Sequence, residues 1–217
     1  MLVLSELFTP TDLEVLQQAA GGLDFEDGGR TAGPMARRVK ANQQATDSAD
    51  SRAVLAMVEA ALMRHPVFRS AARPKTFLRL MVSRYQPGHT YGTHVDDAIM
   101  AGGRSDLSFT LFLSDPDTYS GGELVIDDRF EDRAIKLPPG EAVVYASTTL
   151  HRVAPVSQGT RLAVVGWVQS LLRDPAQRDL LMDLDAAIAH EDATKGDAIQ
   201  LGRLQRTRSN LLRMWAQ

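Results

Sequence analysis

The sequence predicts a mainly β protein, an all-β barrel or jelly roll with helices on either side of it. Two observations carry this. Between Thr76 and Ser170 apolar residues recur with a period of two, in roughly eight short runs separated by turn residues. Before and after that stretch the period lengthens to that of a helix, at Thr9–Gly22, at Ser51–Arg64 and from Asp174 onward. A chain of 217 residues, 44% hydrophobic and 24% charged, can bury a real core as one large domain or as one domain with a small appendage.

Thr9-Pro10-Thr11-Asp12 starts the first helix, with Thr9 as N-cap, Pro10 in the first turn and Asp12 near the positive end. Leu13, Leu16 and Ala20 form its apolar stripe, and Gly21-Gly22 ends it. From Asp24 to Arg38 glycine and charge dominate, which predicts a short strand with loops. The polar run Arg37 to Gln44 has two readings. It is a solvated edge, or a strand at a pocket mouth with Lys40, Asn42 and Gln44 on one face. The Ser51–Arg64 helix carries Val54, Leu55, Val58, Ala61 and Leu62, and His65-Pro66 stops it. His65 reads as a surface or capping residue.

From Thr76 the alternation sets Leu78, Leu80 and Val82 against Phe77, Arg79, Met81, Ser83 and Tyr85. Pro87-Gly88 is a turn, and His89 falls within it. Ser105–Ser114 alternates Leu107, Phe109, Leu111 and Leu113 against Ser108, Thr110 and Phe112. Gly121-Gly122 lets backbone pass close to a neighbour. Glu123–Asp127, Ala134–Leu137 and Glu141–Tyr145 follow as short strands. The strand Arg161–Ser170 puts Arg161, Ala163, Val165, Trp167 and Gln169 on one interior face. Asp174 and Pro175 open a helix with Leu180, Leu181, Leu184 and Ile188 as its stripe. Another helix, about Asp197 to Met214, shows Leu201, Leu204, Leu211 and Trp215, with Arg203, Arg206, Arg208 and Arg213 outside.

A net charge of −3 argues against nucleic acid as the main partner, because phosphate-binding faces are basic. With no cysteine, disulfides and thiolate metal sites are excluded. No segment approaches the roughly 20 apolar residues of a membrane span, and Met1–Glu6 lacks the pattern of an export signal. A cytoplasmic protein with no membrane partner is the expectation.

His94-Val95-Asp96 is the candidate functional core. Alternate side chains of a strand share a face, so an imidazole and a carboxylate two residues apart can point at one atom. Alone, the tripeptide is a common polar strand end. A third ligand must come from a distant strand, and His151 is the candidate. Two imidazoles and one carboxylate hold one face of a metal and leave the other open, as in non-haem Fe(II) sites. Arg161, ten residues after His151, fits a carboxylate with two parallel hydrogen bonds, and on an interior face it needs such an anion.

Tyr85-x-x-Gly88-x-x-Tyr91-x-x-His94-x-Asp96, Gly121-Gly122-Glu123-Leu124, His151-Arg152-Val153 and Arg161 resemble the Fe(II)/2-oxoglutarate dioxygenase superfamily in its prolyl-4-hydroxylase-like branch. More narrowly, the chain resembles the PKHD-type hydroxylases. Val39–Gln44 and Val165–Ser170 are similar to that group's flanking segments. The resemblance implies a double-stranded β-helix (jelly-roll, cupin-like) core with N-terminal helices over residues 1–172, and a C-terminal helical extension, 173–217, packed on it. It implies Fe(2+) on His94, Asp96 and His151, 2-oxoglutarate as cosubstrate, O2, and L-ascorbate. It assigns Arg161 to the C5 carboxylate of 2-oxoglutarate and allows Tyr85 to donate its phenol to the same molecule. Tyr85 is equally readable as a core aromatic, and Tyr91 and Trp167 as packing.

The implied reaction hydroxylates a C–H bond and releases succinate and CO2. The motifs do not encode whether the acceptor is a peptidyl residue, an amino acid or a siderophore-like small molecule, and the C-terminal helices are a candidate contact for a homo-oligomer. Two other readings stay open: a cupin-like metal enzyme that uses no 2-oxoglutarate, and a non-enzymatic jelly-roll binding module. The first has no use for Arg161, and the second none for a metal.

Overall fold

The computed structural model describes residues 1–31, 39–128 and 131–217. Its N-terminal part holds β1 (Leu2–Leu4), α1 (Pro10–Gly21), β2 (Phe25–Asp27), β3 (Lys40–Ala41), β4 (Gln43–Ala45), α2 (Ala49–Arg64) and α3 (Pro66–Ala72). Then come β5 (Pro74–Tyr85), β6 (Thr90–His94), β7 (Ile99–Met100), β8 (Gly103–Arg104) and β9 (Leu107–Phe112). They are followed by β10 (Ser120–Gly121), β11 (Leu124–Asp127), β12 (Asp132–Ile135), β13 (Ala142–Ala146), β14 (His151–Val153), β15 (Val156–Gln158) and β16 (Arg161–Ser170). Two helices, α4 (Pro175–Ala193) and α5 (Ala198–Trp215), end the chain. The loop expected before Arg38, with Arg37 and Arg38 of the polar run, lies largely outside the described residues.

Seven strands form the large sheet in the order β1-β13-β9-β16-β5-β4-β2, and five form the small one in the order β12-β11-β14-β6-β3. Among the described residues every pairing is antiparallel, the jelly-roll arrangement that the sequence predicts. Helices cover one face of the large sheet. Leu16, Val54, Val58, Leu62 and Phe68 pack there against Val82, Leu107, Phe109, Leu111, Val164 and Val168. Phe68→Ala would cost this layer about 3–5 kcal/mol. The other face meets the small sheet, where Phe112, Val143 and Tyr145 pack on Leu124, Ile126 and Ile135. That core borders a cavity between the sheets, which Leu124 and Tyr145 also line.

Several local expectations are corrected. Ser48, not Ser51, begins the second helix: its hydroxyl accepts from Ser51 N–H while Ser51 Oγ accepts from Ser48 N–H, a reciprocal cap. His65 ends α2 and also caps α3, its Nδ1 accepting from Phe68 N–H, so Pro66 opens a helix as well as stopping one. In β5, Phe77 and Leu78 exchange their expected faces. The β16–β5 register slips between Trp167 and Val168, which sends Phe77 to the helix layer and leaves Leu78 on the cavity. Leu180 is exposed, while Leu181 is fully buried where α4 packs on α3 and Arg73 donates to Leu181 O.

Arg208, expected on an outer basic face, pairs with Asp185 of α4, which also binds Arg73 and Ser70 beside α3. Gln217 N–H donates to Leu171 O, tying the end of α5 back to the strand layer. Among the described residues no helix is long and apolar enough to cross a membrane.

Candidate metal and cosubstrate site

β6 and β14 are neighbours in the small sheet, and their register sets His151 directly opposite His94. The two ring centroids are 4.3 Å apart. β6 stops at His94, so Asp96 lies beyond the strand and not on the pleat that the alternation argument assumed. Val95 turns out to solvent, 49% exposed, and the next residue brings its carboxylate back over the ring pair. Asp96 Oδ1 lies 4.0 Å from His94 Nε2, and Oδ2 lies 3.8 Å from His151 Nε2. One ligand atom from each of the three residues falls within 4.8 Å of the others.

The backbone sets the tautomers. A carbonyl only accepts, so His94 Nδ1, 2.8 Å from Gly92 O, and His151 Nδ1, 3.0 Å from Thr149 O, must each carry the hydrogen. Both Nε2 lone pairs are thereby left facing Asp96, the orientation a metal ligand needs. Burial first, and then the charge of neighbouring His151, push the His94 imidazolium down to about 4. The ring is neutral at neutral pH and ready to ligate. Ser108 Oγ donates to Asp96 Oδ2 at 2.6 Å and meets Ser147 Oγ at 2.8 Å. This pair was missed in the sequence; its signal is a serine interrupting the apolar β9 on the face turned away from the helices.

The three side chains line a cavity of about 570 Å³ between the sheets, within the roughly 300–1,000 Å³ usual for small-molecule sites. Its floor is the large sheet. Tyr85, Ser83, Met81 and Arg79 of β5 run beside Arg161, Val165 and Trp167 of β16. Lys40, Asn42 and Gln44 line it too, because the chain crosses from the small sheet (β3) to the large one (β4) at Asn42. The pocket-mouth reading of that run holds, and the solvated-edge reading does not.

Arg161 sits opposite Tyr85 with 1% of its surface exposed. Its Nε and Nη1 have no hydrogen-bond partner, and its guanidinium lies 5.1 Å from the Tyr85 ring centroid. A buried cation left this way is costly unless an anion joins it, so the residues present fit a carboxylate ligand. Gly122 makes room for it. At φ 70°, a Cβ there would fall 3.1 Å from Arg161 Cδ and 2.9 Å from Val156 Cγ2. Burial pushes the Tyr85 phenol up, offset by Arg161 and by nearby Asn42, so the hydroxyl keeps its proton and can donate.

A jelly roll with two imidazoles and a carboxylate at the mouth, and a buried arginine behind them, defines a class. Residues 80–169 match the 2OG-Fe(II) oxygenase superfamily, and 175–217 match the PKHD-type hydroxylase C-terminal domain. Solved structures agree on the fold. An oxidoreductase of the 2OG-Fe(II) oxygenase family from Burkholderia pseudomallei superposes with a TM-score of 0.57 at 18% identity, over 76% of this chain and 82% of that one. A prolyl hydroxylase from Trichoplax adhaerens, solved with a peptide fragment, gives 0.60 at 15% identity, over 77% and 82%. Among sequence relatives, a PKHD-type hydroxylase of Maricaulis maris is 50% identical over the full length of both chains. One from Acaryochloris marina is 45% identical, again over the full length of both. The chain belongs to the PKHD-type hydroxylases of the 2OG-Fe(II) oxygenase superfamily and is a 2-oxoglutarate-dependent hydroxylase.

Proposed function

We propose that His94, Asp96 and His151 hold a ferrous ion and that Arg161 and Tyr85 hold the C5 carboxyl end of 2-oxoglutarate. The observation that carries this is the opening of the triad, and of a buried guanidinium with two nitrogens lacking a hydrogen-bond partner, into one cavity. Bound iron with its keto acid supplies the oxidising chemistry, using O2 to turn 2-oxoglutarate into succinate and CO2 while a substrate C–H becomes C–OH. The protein's own contribution is placement. Gly92 O and Thr149 O orient the two imidazoles, Ser108 orients Asp96, and Gly122 lets Arg161 reach the closed end. Tyr91, stacked on His94 at 3.6 Å, walls the site from the side of β3. L-ascorbate is proposed as an external reductant that supports turnover. The domain division at 172/173 is proposed with it, the C-terminal helices bracing the sandwich through Asp185.

The test is direct. Adding 2-oxoglutarate to the anaerobic Fe(II)-loaded protein should give a visible charge-transfer band, and O2 should then yield succinate. Metal binding without the band would favour an enzyme that does not use 2-oxoglutarate, and no metal binding would favour a plain binding module.

A further inference from the structure

We propose that two copies of the chain pair about a two-fold axis through their α4–α5 hairpins, with α5 of each lying on α4 of the other. Charge along these helices is segregated. From Asp174 to Asp197 the chain holds seven acidic residues against Arg178 and Lys195, and from Ala198 to Gln217 it holds four arginines and no acid. Among the described residues a single ion pair joins the two helices, Arg208 to Asp185. Arg203, Arg206 and Arg213 stay exposed on α5, and Asp179 and Asp183 stay exposed on α4. With about 3.6 residues per turn, the three arginines fall opposite Leu204, Arg208 and Trp215, which face α4. The two aspartates likewise turn away from Arg178, Leu181 and Asp185. No ion pair joins the two exposed sets within one copy.

Apolar surface is left open on the same hairpin. α5 has no buried residue, and Leu201, Leu204, Leu211, Leu212 and Trp215 of its stripe are each only half-buried. Leu180, Ile199 and Met214 are 58%, 66% and 73% exposed. A link of four residues, Thr194 to Asp197, folds α5 back antiparallel on α4. Leu180 and Met214 therefore stand at one end of the hairpin and Ile199 at the other. Between them Ala176, Ala186 and Ala187 keep the exposed side of α4 low, which lets another helix approach closely.

Self-complementarity selects a second copy as the occupant. The surface that suits the outer side of α5 is a flat helix face bearing acids, and the chain carries one on the adjacent helix. A two-fold axis makes that match twice, α5 on α4 and α4 on α5, and closes the pair. A polyanion would be attracted by α5 but repelled by the aspartates of α4 beside it.

Sedimentation equilibrium of the full chain tests this. Wild type is expected to dimerise, and the dimer to weaken as salt rises, because exposed charge pairs are screened. The variants Arg203→Glu/Arg206→Glu and Asp179→Lys/Asp183→Lys should each weaken self-association about tenfold or more, with the fold kept by circular dichroism and thermal unfolding. Mixed in equal amounts, the two variants should pair with each other, since each then meets opposite charge at both contacts. Wild type that stays monomeric over about 1–100 µM, or a wild-type dimer indifferent to salt, would overturn the proposal. So would variants that self-associate as wild type does, or a mixture that stays monomeric. Metal and 2-oxoglutarate take no part in the measurement, so its outcome is separate from the hydroxylase reading.

Discussion

The Ser108 hydroxyl donates a 2.6 Å hydrogen bond to the same Asp96 oxygen that faces His151. Ser108 and Ser147 are both buried, so no water can take over this role easily. We expect Ser108→Ala to fold normally and to weaken divalent-metal binding about 10–100-fold, the usual consequence of freeing a ligand's outer partner. Equilibrium titration with Fe(II) or Mn(II) checks it, and unchanged affinity would show that Asp96 needs no such hold.

Asp96→Ala should abolish both metal binding and succinate release. The two imidazoles alone leave a site with one nitrogen pair and no anionic oxygen. Metal analysis of the purified variant, beside a succinate assay, decides the matter. Retained turnover would take this carboxylate out of the chemistry.

Arg161→Ala should raise the 2-oxoglutarate requirement while leaving iron affinity nearly intact, through loss of a two-pronged contact remote from the imidazoles. Gly122→Ala should act the same way more mildly. Its methyl would press on Arg161 Cδ from a backbone that only glycine adopts easily. Separate saturation curves for metal and cosubstrate distinguish these effects, and equal weakening of both by Gly122→Ala would point to general misfolding.

Acid should loosen the C-terminal helices. Burial pushes the Asp185 carboxyl up, but hydrogen bonds from Ser70 and Arg208 and the charges of Arg73 and Arg208 outweigh it and hold it below its usual range. A carboxyl with a lower pKa in the folded state stabilises the fold fully above its unfolded value of about 3.9. That contribution is lost as pH falls through the folded value. Asp185→Asn should therefore cost about 1–2 kcal/mol at neutral pH, discounted for partial exposure, and the gap from wild type should shrink in strong acid. Thermal unfolding of both proteins across the acid range tests this, and a pH-independent gap would contradict it.

Local properties of the chain determined a good deal here. Alternation picked out the face that carries Ser108 and Thr110, and the face that carries Arg161, Val165 and Trp167, because a pleated strand must turn successive side chains opposite ways. Caps such as Thr9 and Asp174 are local too, each satisfying an N–H within three residues. The residue types of His94, Asp96 and His151 named a metal chemistry. What only the tertiary structure decided was where alternation fails and who stands beside whom. The slip at Trp167/Val168 that swaps Phe77 with Leu78 depends on a partner strand far away in the chain. The turn that returns Asp96 to the rings and the serine behind it are set by tertiary placement as well. No local period encodes them, because each is fixed by packing two sheets against one another.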